Sequence, residues 1–257
     1  MRVAEGFAAP TVRGPAATAD RSFADLAVAA TVFGWITVVL LADRHSSLTQ
    51  QRLLGLATWA LLIGLLCREN PLVRAQVAIV VAFATAVEYT FSPFLGVYLY
   101  RLHNVPAFVP PGHGLVYLCA LTLGRTRWLH RYRRGFTAAT VLIGGSYATW
   151  SLLRPRHDVL GAMWFACLVG FLCLGRSRTL YVGAFAIVTY LELVGTHLGA
   201  WAWQRYDPTG LVGIGNPPSG AAGGYGWFDL AALFGGPPLL RALAALRGRG
   251  VQEPEPA

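Results

Sequence analysis

The sequence is poor in charged residues and contains no lysine. Only 13% of its 257 residues are charged, and all 21 basic residues are arginine. A soluble domain has about a quarter of its residues charged, so this composition excludes an ordinary soluble domain. The mean hydropathy is +0.49, and apolar runs of roughly 18 to 22 residues, long enough to cross a bilayer as helices, recur along the chain. The sequence therefore predicts an all-α, polytopic bundle of membrane helices.

Cysteine is also scarce, and its positions exclude two kinds of site. The four cysteines lie within or at the ends of apolar runs, and none forms a Cys-x-x-Cys pair, so neither a disulfide framework nor a zinc site is predicted. The glycine-rich stretch 213–226 has no lysine and follows no strand, which excludes a phosphate-binding loop and favours close helix packing. We expect no cofactor and no metal. Because no basic patch alternates with aromatic residues in a soluble segment, we also expect no nucleic acid.

Eight apolar runs between charged breaks predict about eight transmembrane helices. The runs cover residues 22–42, 50–67, 73–92, 109–124, 136–153, 158–175, 179–198 and 221–246. The last run contains Gly-Gly-Pro-Pro at 235–238, which we expect to kink or end the helix. With eight crossings, fifteen arginines fall on the side that holds both termini and six on the other. Because arginine is enriched in cytoplasmic loops, both termini are predicted to be cytoplasmic in a multi-pass protein of the inner (plasma) membrane.

Two stretches of the chain are similar to each other, EYTFSPFLGVYLYR at 88–101 and ELVGTHLGAWAWQR at 192–205. Both contain a glutamate, a glycine, two alternating aromatic residues and an arginine in that order, and a proline pair follows each stretch. This similarity predicts two like-oriented four-helix halves, residues 22–134 and 135–247, with a proline pair opening the fourth helix of each. Residues 1–21 and 248–257 are expected to be flexible tails.

The glutamates of these stretches are the first candidates for a functional site. A glutamate within a membrane span is costly and normally faces the bundle interior. Glu88 and Glu192 both fall late in the third span of their half, so we expect them to meet near the axis that relates the halves. One carboxyl would then stay protonated beside an ionised one, which gives a general acid next to a base. The alternative is structural: each glutamate satisfies a buried helix end or pairs with Arg101 or Arg205.

Aromatic residues alternate after the glycine of each stretch, as Tyr98 and Tyr100 and as Trp201 and Trp203. This spacing is not helical and predicts extended or re-entrant backbone, which membrane proteins tolerate only where it is buried or lines a cavity. Such rings would stabilise a carbocation through cation–π contact. The alternative is that they are interfacial residues, since tyrosine and tryptophan concentrate at membrane surfaces regardless of function.

Further polar side chains are candidates for the same interior. His113 and His197 serve either the site or a structural role, and Asn216 either caps a helix or binds a ligand. A metal site can be drawn from the glutamates and histidines, but no His/Glu spacing supports it. The predicted catalytic residues are Glu88, Glu192, His113 and Asp229. The predicted substrate-binding residues are Tyr98, Tyr100, Trp201, Trp203, His197, Asn216 and Tyr225.

The two stretches resemble integral-membrane carotenoid-modifying proteins. The resemblance to bacterial carotenoid hydratases is carried by Glu88, Gly96, Tyr98, Tyr100 and the VPAFVPP that follows. The resemblance to small-subunit-type lycopene cyclases is carried by Glu192, Gly199, Trp201, Trp203 and Pro217. Where those cyclases have a pair of acids after the proline, this chain has PPSGAAGG, so lycopene cyclisation does not carry over directly.

The resemblance implies chemistry on a carotenoid or polyisoprenoid lipid without a soluble cofactor. Protonation of an alkene by Glu88 or Glu192 would be followed by hydration or ring closure, with the aromatic side chains lining the path of the cation. The alternative function is non-catalytic: a lipid or solute carrier, or an assembly partner in the membrane. Both imply a hydrophobic, lipid-like small molecule and membrane lipids as partners, and both are compatible with an oligomer or a membrane-enzyme partner.

Overall fold

The computed structural model of the chain describes residues 15–175 and 177–249, with side chains described for 22–175 and 177–246. These residues are largely helical, which confirms the all-α prediction, and they include two short strands. In chain order the elements are α1 (Pro15–Asp43), α2 (Leu48–Leu66), α3 (Pro71–Tyr89), a π-helical turn (Thr90–Phe94), β1 (Tyr98–Tyr100), α4 (Val109–Arg125), α5 (Arg127–Arg131), α6 (Arg133–Leu153), α7 (Val159–Leu174), α8 (Arg178–His197), β2 (Trp201–Trp203) and α9 (Ala221–Arg249).

The predicted apolar runs coincide with the long helices α1–α4 and α6–α9. Among the described residues, five segments are long and apolar enough to cross a membrane: Ser22–Asp43, Pro71–Phe94, Arg133–Leu153, Arg178–His197 and Ala221–Leu246. They indicate a multi-pass membrane protein in contact with lipid. Helix α7 is also apolar but shorter, and the number of eight crossings stays a prediction.

Several helix starts follow from the loop residues that precede them. Ser47 and Gln50 form a reciprocal capping box at the start of α2, Asn70 caps α3 just before Pro71, and Asp158 caps α7. Such caps satisfy backbone N–H groups that the first turn of a helix leaves without a partner. The loops therefore fix where these three helices begin.

The predicted tails lie mostly outside the described residues, which exclude residues 1–14 and 250–257. Helix α1 is described from Pro15 onward, and the flexibility of the tails stays a prediction. The pair Pro217–Pro218 lies shortly before α9, which begins at Ala221, and so it does not open that helix. Pro110 and Pro111, in contrast, lie in the first turn of α4.

Helix α9 continues through Pro237 and Pro238. A proline in a helix interior removes one backbone hydrogen bond, so the sequence predicted that the helix would kink or end there; of these two alternatives, the end does not occur. Gly235 and Gly236 precede the prolines, and a Cβ at either would come within 2.8 Å of a side chain of α3. Close packing of α9 against α3 therefore holds the helix together across the prolines.

The centre of the bundle consists of α3, α4, α8 and α9. Helix α4 packs against α8 and α3 against α9, while α3–α4 and α8–α9 complete the group. Small residues permit the close approach of neighbouring backbones: a Cβ at Gly183 would lie 2.4 Å from the carbonyl oxygen of Ala120, and one at Gly223 would lie 1.8 Å from that of Trp164. The second contact confirms that the glycine-rich stretch serves helix packing, here between α9 and α7.

Candidate functional site

The two aromatic stretches form a small antiparallel sheet. Gly96 and Gly199 precede the strands with φ values of +65° and +73°, a conformation that favours glycine because it has no Cβ. Strands β1 and β2 then pair so that Tyr98 lies opposite Trp203. The predicted departure from helical backbone is thus confirmed.

The register of this sheet relates the two stretches by a twofold exchange. In the sequence comparison Tyr98 corresponds to Trp201 and Tyr100 to Trp203. The sheet pairs Tyr98 with Trp203 and Tyr100 with Trp201. If each residue is replaced by its counterpart in the other stretch, the pair Tyr98–Trp203 becomes the pair Trp201–Tyr100, which is also present. The pairing is therefore symmetric between the two stretches.

Backbone hydrogen bonds that flank the strands follow the same exchange. The N–H of Arg101 donates to the carbonyl oxygen of Ala200 at 3.0 Å, and the N–H of Gln204 donates to that of Val97 at 2.9 Å. In three dimensions Gln204, rather than Arg205, is thus equivalent to Arg101. The alignment of the two stretches matched Arg101 with Arg205, which lies one position beyond Gln204.

A π-helical turn compensates for a difference in length between the stretches. Glu88 lies eight residues before Gly96, whereas Glu192 lies seven residues before Gly199. The turn Thr90–Phe94 follows α3 in the first stretch, and a π-helical turn accommodates one more residue than an α-helical turn. Both glutamates therefore reach the sheet from the ends of their helices in spite of the unequal spacing.

Three side chains contact the carboxylate of Glu88. The hydroxyls of Tyr98 and Tyr100 donate to Oε2 at 2.8 and 2.7 Å, and Nε2 of His113 lies 2.8 Å from Oε1. Burial, followed by the nearby Glu88 carboxylate, raises the pKa of both phenols above the usual range, so the phenols keep their protons and donate them. Glu88 is buried, and both of its oxygens have partners, as a buried carboxylate requires.

Glu192 has an equivalent position but different partners. The indole N–H groups of Trp201 and Trp203 both donate to Oε2, each at 3.1 Å. Its Oε1 makes no hydrogen bond with the described residues. Trp201 reaches the carboxylate by passing over Gly195, where a Cβ would lie 1.9 Å from the indole ring.

One cavity of about 310 Å³ is lined by both carboxylates, a volume within the range of small-molecule sites. The rings on its walls are in contact: the centroids of Tyr98 and Trp203 are 4.5 Å apart, and His113 stacks on Tyr225 at 5.2 Å. The predicted site residues in its lining are Glu88, Glu192, His113, Tyr98, Tyr100, Trp201, Trp203 and Tyr225. The structure thus brings the two distant stretches to a single site.

Three predicted site residues do not line this cavity. Asp229 is buried in α9, one turn beyond Tyr225. Asn216 accepts a hydrogen bond from the backbone N–H of Trp203 at 3.0 Å, so it positions β2. His197 is exposed at the last turn of α8, because the turn that carries it faces away from the sheet.

The arginine clamp considered as an alternative does not form. Arg101 donates to the carbonyl oxygen of Ser46 at 2.6 Å and lies 3.5 Å from Asp43. Arg205 donates to the carbonyl oxygen of Pro155 at 3.2 Å. Both arginines therefore tie the sheet to neighbouring loops and leave the glutamates to the aromatic donors.

Two residues of the α6–α7 loop hold the second stretch in place, and sequence reasoning missed them. Arg156 donates to the carbonyl oxygens of Ile214 and Trp203, both at 2.6 Å. Asp158, which is 1% exposed, accepts from the backbone N–H groups of Gly215 and Ser219 at 2.7 and 2.6 Å. The position of Asp158 just before an apolar run is the pattern of a helix cap and was the available signal.

Aromatic residues from α1, α3, the π-helical turn, the loop before α4, α7 and α9 complete the cavity wall, and no sequence pattern singled them out. They are Trp35, Phe83, Phe91, Phe108, Trp164, Trp227 and Phe228. Within an apolar run, the sequence does not distinguish an aromatic side chain that faces a cavity from one that faces lipid. Trp164 illustrates this: it lies in the middle of α7, yet its ring contacts Trp203 at a centroid distance of 5.7 Å.

A shallow apolar groove continues the cavity along the surface between α3 and α9. Its lining residues are Phe83, Trp227, Leu230, Ala231 and Phe234. Phe83 and Trp227 line both the groove and the cavity, and they are 40% and 50% exposed. The cavity and the groove therefore adjoin each other at these two apolar side chains.

The arrangement places three side chains of the kinds that can act as general acids or bases, Glu88, His113 and Glu192, in a largely apolar cavity. Among the described residues, no three His, Cys, Asp or Glu side chains are grouped so that they could hold a metal ion. Comparison of the chain with models of protein families, with curated proteins and with solved structures finds no match.

Proposed function

We propose that the chain is an integral-membrane enzyme that protonates a carbon–carbon double bond of a carotenoid or related polyisoprenoid lipid, followed by hydration or cyclisation. The main support is one observation: Glu88 and Glu192 line a single aromatic cavity and differ in their hydrogen bonding. The resemblance of the two stretches to carotenoid-modifying proteins supports the substrate class.

Glu192 is the proposed acid. Two indole N–H groups hold its Oε2, while Oε1 has no hydrogen-bond partner in the described part of the chain and is available to carry a proton. When that proton is transferred, the π electrons of the alkene form the new C–H bond, leaving a carbocation and a carboxylate. The faces of Trp201 and Trp203 are positioned to stabilise this cation.

Glu88 and His113 are the proposed proton acceptors. In hydration, a lone pair of water forms the C–O bond, and the surplus proton of that water passes to the Glu88–His113 pair. In cyclisation, the electrons of a second double bond close the ring, and a carbon-bound proton is lost to the same pair. One proton enters the product and one is released in both cases, so Glu192 must be reprotonated before the next turnover.

The groove between α3 and α9 supports a long apolar substrate. If the reacting end of the lipid occupies the cavity, the rest of the lipid would lie beside Phe83 and Trp227, which line both the cavity and the groove. Burying apolar chain against such side chains is favourable by about 25 cal/mol per Å². The substrate would enter from the lipid between α3 and α9.

The proposal is tested by replacing each carboxylate with its amide. Glu192→Gln and Glu88→Gln are expected to lower product formation about 100-fold or more, the usual contribution of a general acid or base. The measurement is chromatographic analysis of lipids from cells that make the wild type or a variant. Asp207→Asn is the control, because it is the same chemical change in the loop between β2 and α9, outside the cavity lining. Identical lipid profiles for the wild type and both glutamine variants would exclude the enzyme.

A lipid or solute carrier is the second candidate, because the connected cavity and groove could also hold a lipid in transit. This function predicts transfer of an unmodified lipid between vesicles by the purified protein, and the amide variants would retain that transfer. Chemical modification of the lipid by the wild type would exclude a purely non-catalytic role.

We further propose that the halves arose by duplication and that all eight long helices cross the plasma membrane, with both termini in the cytoplasm. The twofold register of the sheet supports the duplication, and the arginine distribution supports the orientation. In a cysteine-free background, a cysteine at Thr209 is expected to react with an impermeant maleimide on intact cells. A cysteine at Arg131 is expected to react only after permeabilisation, and the reverse pattern would contradict the orientation.

A further inference from the structure

Three buried polar atoms lie apart from the cavity. They are Oδ2 of Asp229, Oη of Tyr117 and Oη of Tyr181, and none has a hydrogen-bond partner among the described residues. The three side chains are 4%, 1% and 1% exposed and come from α9, α4 and α8. Both phenols are close enough to the Asp229 carboxylate to interact with it electrostatically. These residues therefore form one polar cluster, which the proposed alkene chemistry does not use.

The polar cluster adjoins the cavity on the side away from the sheet. Tyr117 lies one turn along α4 from His113, and Asp229 lies one turn along α9 from Tyr225. His113 and Tyr225 both line the cavity. Nδ1 of His113 is buried and, like the cluster atoms, has no hydrogen-bond partner in the described residues.

Beyond the polar cluster, an ion-pair group lies at the end of α4. Arg125 is 2.9 Å from Glu69 and 3.7 Å from Asp25, and it interacts electrostatically with Tyr117. Glu69 lies in the α2–α3 loop, at the surface of the bundle. Polar groups therefore extend from this end of the bundle, through the polar cluster, to the histidine in the cavity.

We propose that Asp229, Tyr117 and Tyr181 hold water molecules and relay protons between the ion-pair group and His113. A buried polar group without a partner is costly, and buried water commonly supplies the missing hydrogen bonds. A phenol accepts one hydrogen bond while it donates another, so two phenols beside a carboxyl can order a chain of water. Ionisable groups within a membrane domain often serve such relays.

The relay requires only proton transfers. A proton that the reaction leaves on Oε1 of Glu88 passes to Nε2 of His113, 2.8 Å away, while the proton on Nδ1 leaves through the polar cluster. Each step breaks one bond to hydrogen and forms another, and no further reactant is consumed. The titratable groups around the relay are those of the polar cluster, the ion-pair group and the cavity: Asp229, Tyr117, Tyr181, Arg125, Glu69, Asp25, His113, Tyr225, Tyr98, Tyr100, Glu88 and Glu192.

Infrared spectroscopy of the purified full-length protein in lipid nanodiscs tests the polar cluster without any substrate. Asp229→Asn is expected to remove one carboxyl C=O band. Tyr117→Phe and Tyr181→Phe are each expected to shift that band. To isolate the Asp229 band in each variant, the spectrum of the double variant that also carries Asp229→Asn is subtracted. In D2O the band is expected to shift as relay water exchanges. Tyr190→Phe is the control, because this phenol bonds with Thr37, and it should leave the band in place.

Three results would overturn the inference: no Asp229 band at any pH, an unmoved band in both phenylalanine variants, or no shift in D2O. None of them depends on the proposed enzyme. Glu192→Gln is expected to abolish product and to leave the Asp229 band intact. If the wild type forms product, Asp229→Asn is expected to shift its pH–rate profile without changing the amount of bound lipid. An unshifted profile would show that the polar cluster does not serve His113.

Discussion

At the scale of single residues, the two carboxylates differ in what their donors can do. Tyr98 and Tyr100 present hydroxyls to Glu88, and a hydroxyl can both donate and accept. Trp201 and Trp203 present indole N–H groups to Glu192, which can only donate. The alternation of rings along the sequence predicted the extended backbone, but the identity of each hydrogen-bond partner became visible only once the helices and strands were assembled.

Gly195 sets how closely Trp201 approaches Glu192. We expect Gly195→Ala to displace the indole, because the new Cβ would lie 1.9 Å from the ring, and to destabilise the protein by about 1–3 kcal/mol, as overpacking usually does. Thermal unfolding measures the stability, and tryptophan fluorescence reports the displaced ring. Gly170→Ala is the matched control, since nothing lies within 4 Å of its added Cβ. Equal effects of the two substitutions would show that the close approach is unimportant.

At the scale of elements, the small sheet depends on loops that are remote in sequence. A two-stranded sheet is marginal alone, and here β2 is held by Arg156 of the α6–α7 loop and by Asn216. The sequence predicted extended or re-entrant backbone here from the alternation of aromatic residues, but it did not predict these supports, because loop arginines in a membrane protein also arise as topology signals. Arg156 differs from such signals in that it binds backbone carbonyl oxygens inside the fold.

Replacing Arg156 should loosen the second stretch. We expect Arg156→Met, which keeps much of the side-chain length, to lower the free energy of unfolding by about 3 kcal/mol or more, since hydrogen bonds to charged groups contribute about 1.5–3 kcal/mol each. Hydrogen exchange of backbone amides in β2 provides the local measurement. Arg205→Met is the comparison, because that exposed arginine donates a single bond at 3.2 Å. A larger loss of protection in Arg205→Met would contradict this role of Arg156.

At the scale of the whole molecule, the sequence predicted the positions of the long helices well and their packing poorly. The apolar runs of α3 and α8 located those helices because length and hydropathy are local properties. That α4 packs on α8 and α3 on α9 depends on contacts such as Gly183 with Ala120, which no single segment reveals. The same holds for Pro237 and Pro238: local rules predicted that α9 would kink or end there, and the helix does not end, because it packs closely against α3.

The groove between α3 and α9 predicts where a long lipid enters. Ala231→Trp is expected to fill the groove and to reduce the amount of lipid that co-purifies with the protein, because the larger ring would occupy the space beside Trp227 and Phe234. Mass spectrometry of lipids extracted from protein purified in mild detergent measures this amount. Leu142→Trp adds a ring on the exposed side of α6 and serves as the control. Full retention of lipid by Ala231→Trp would place the entry elsewhere.

The π-helical turn has a consequence for how the two halves can change. It lets two stretches of unequal length close on one sheet, so an insertion near the sheet need not separate the carboxylates. If the halves arose by duplication, as we propose, each stretch could then acquire its own chemistry, with phenols and a histidine on one side and indoles on the other. Under the proposed function, a long polyene with identical ends would meet unlike neighbours in the cavity, and only the end beside Glu192 would react. Its second end would have to wait until the molecule left, turned around and returned.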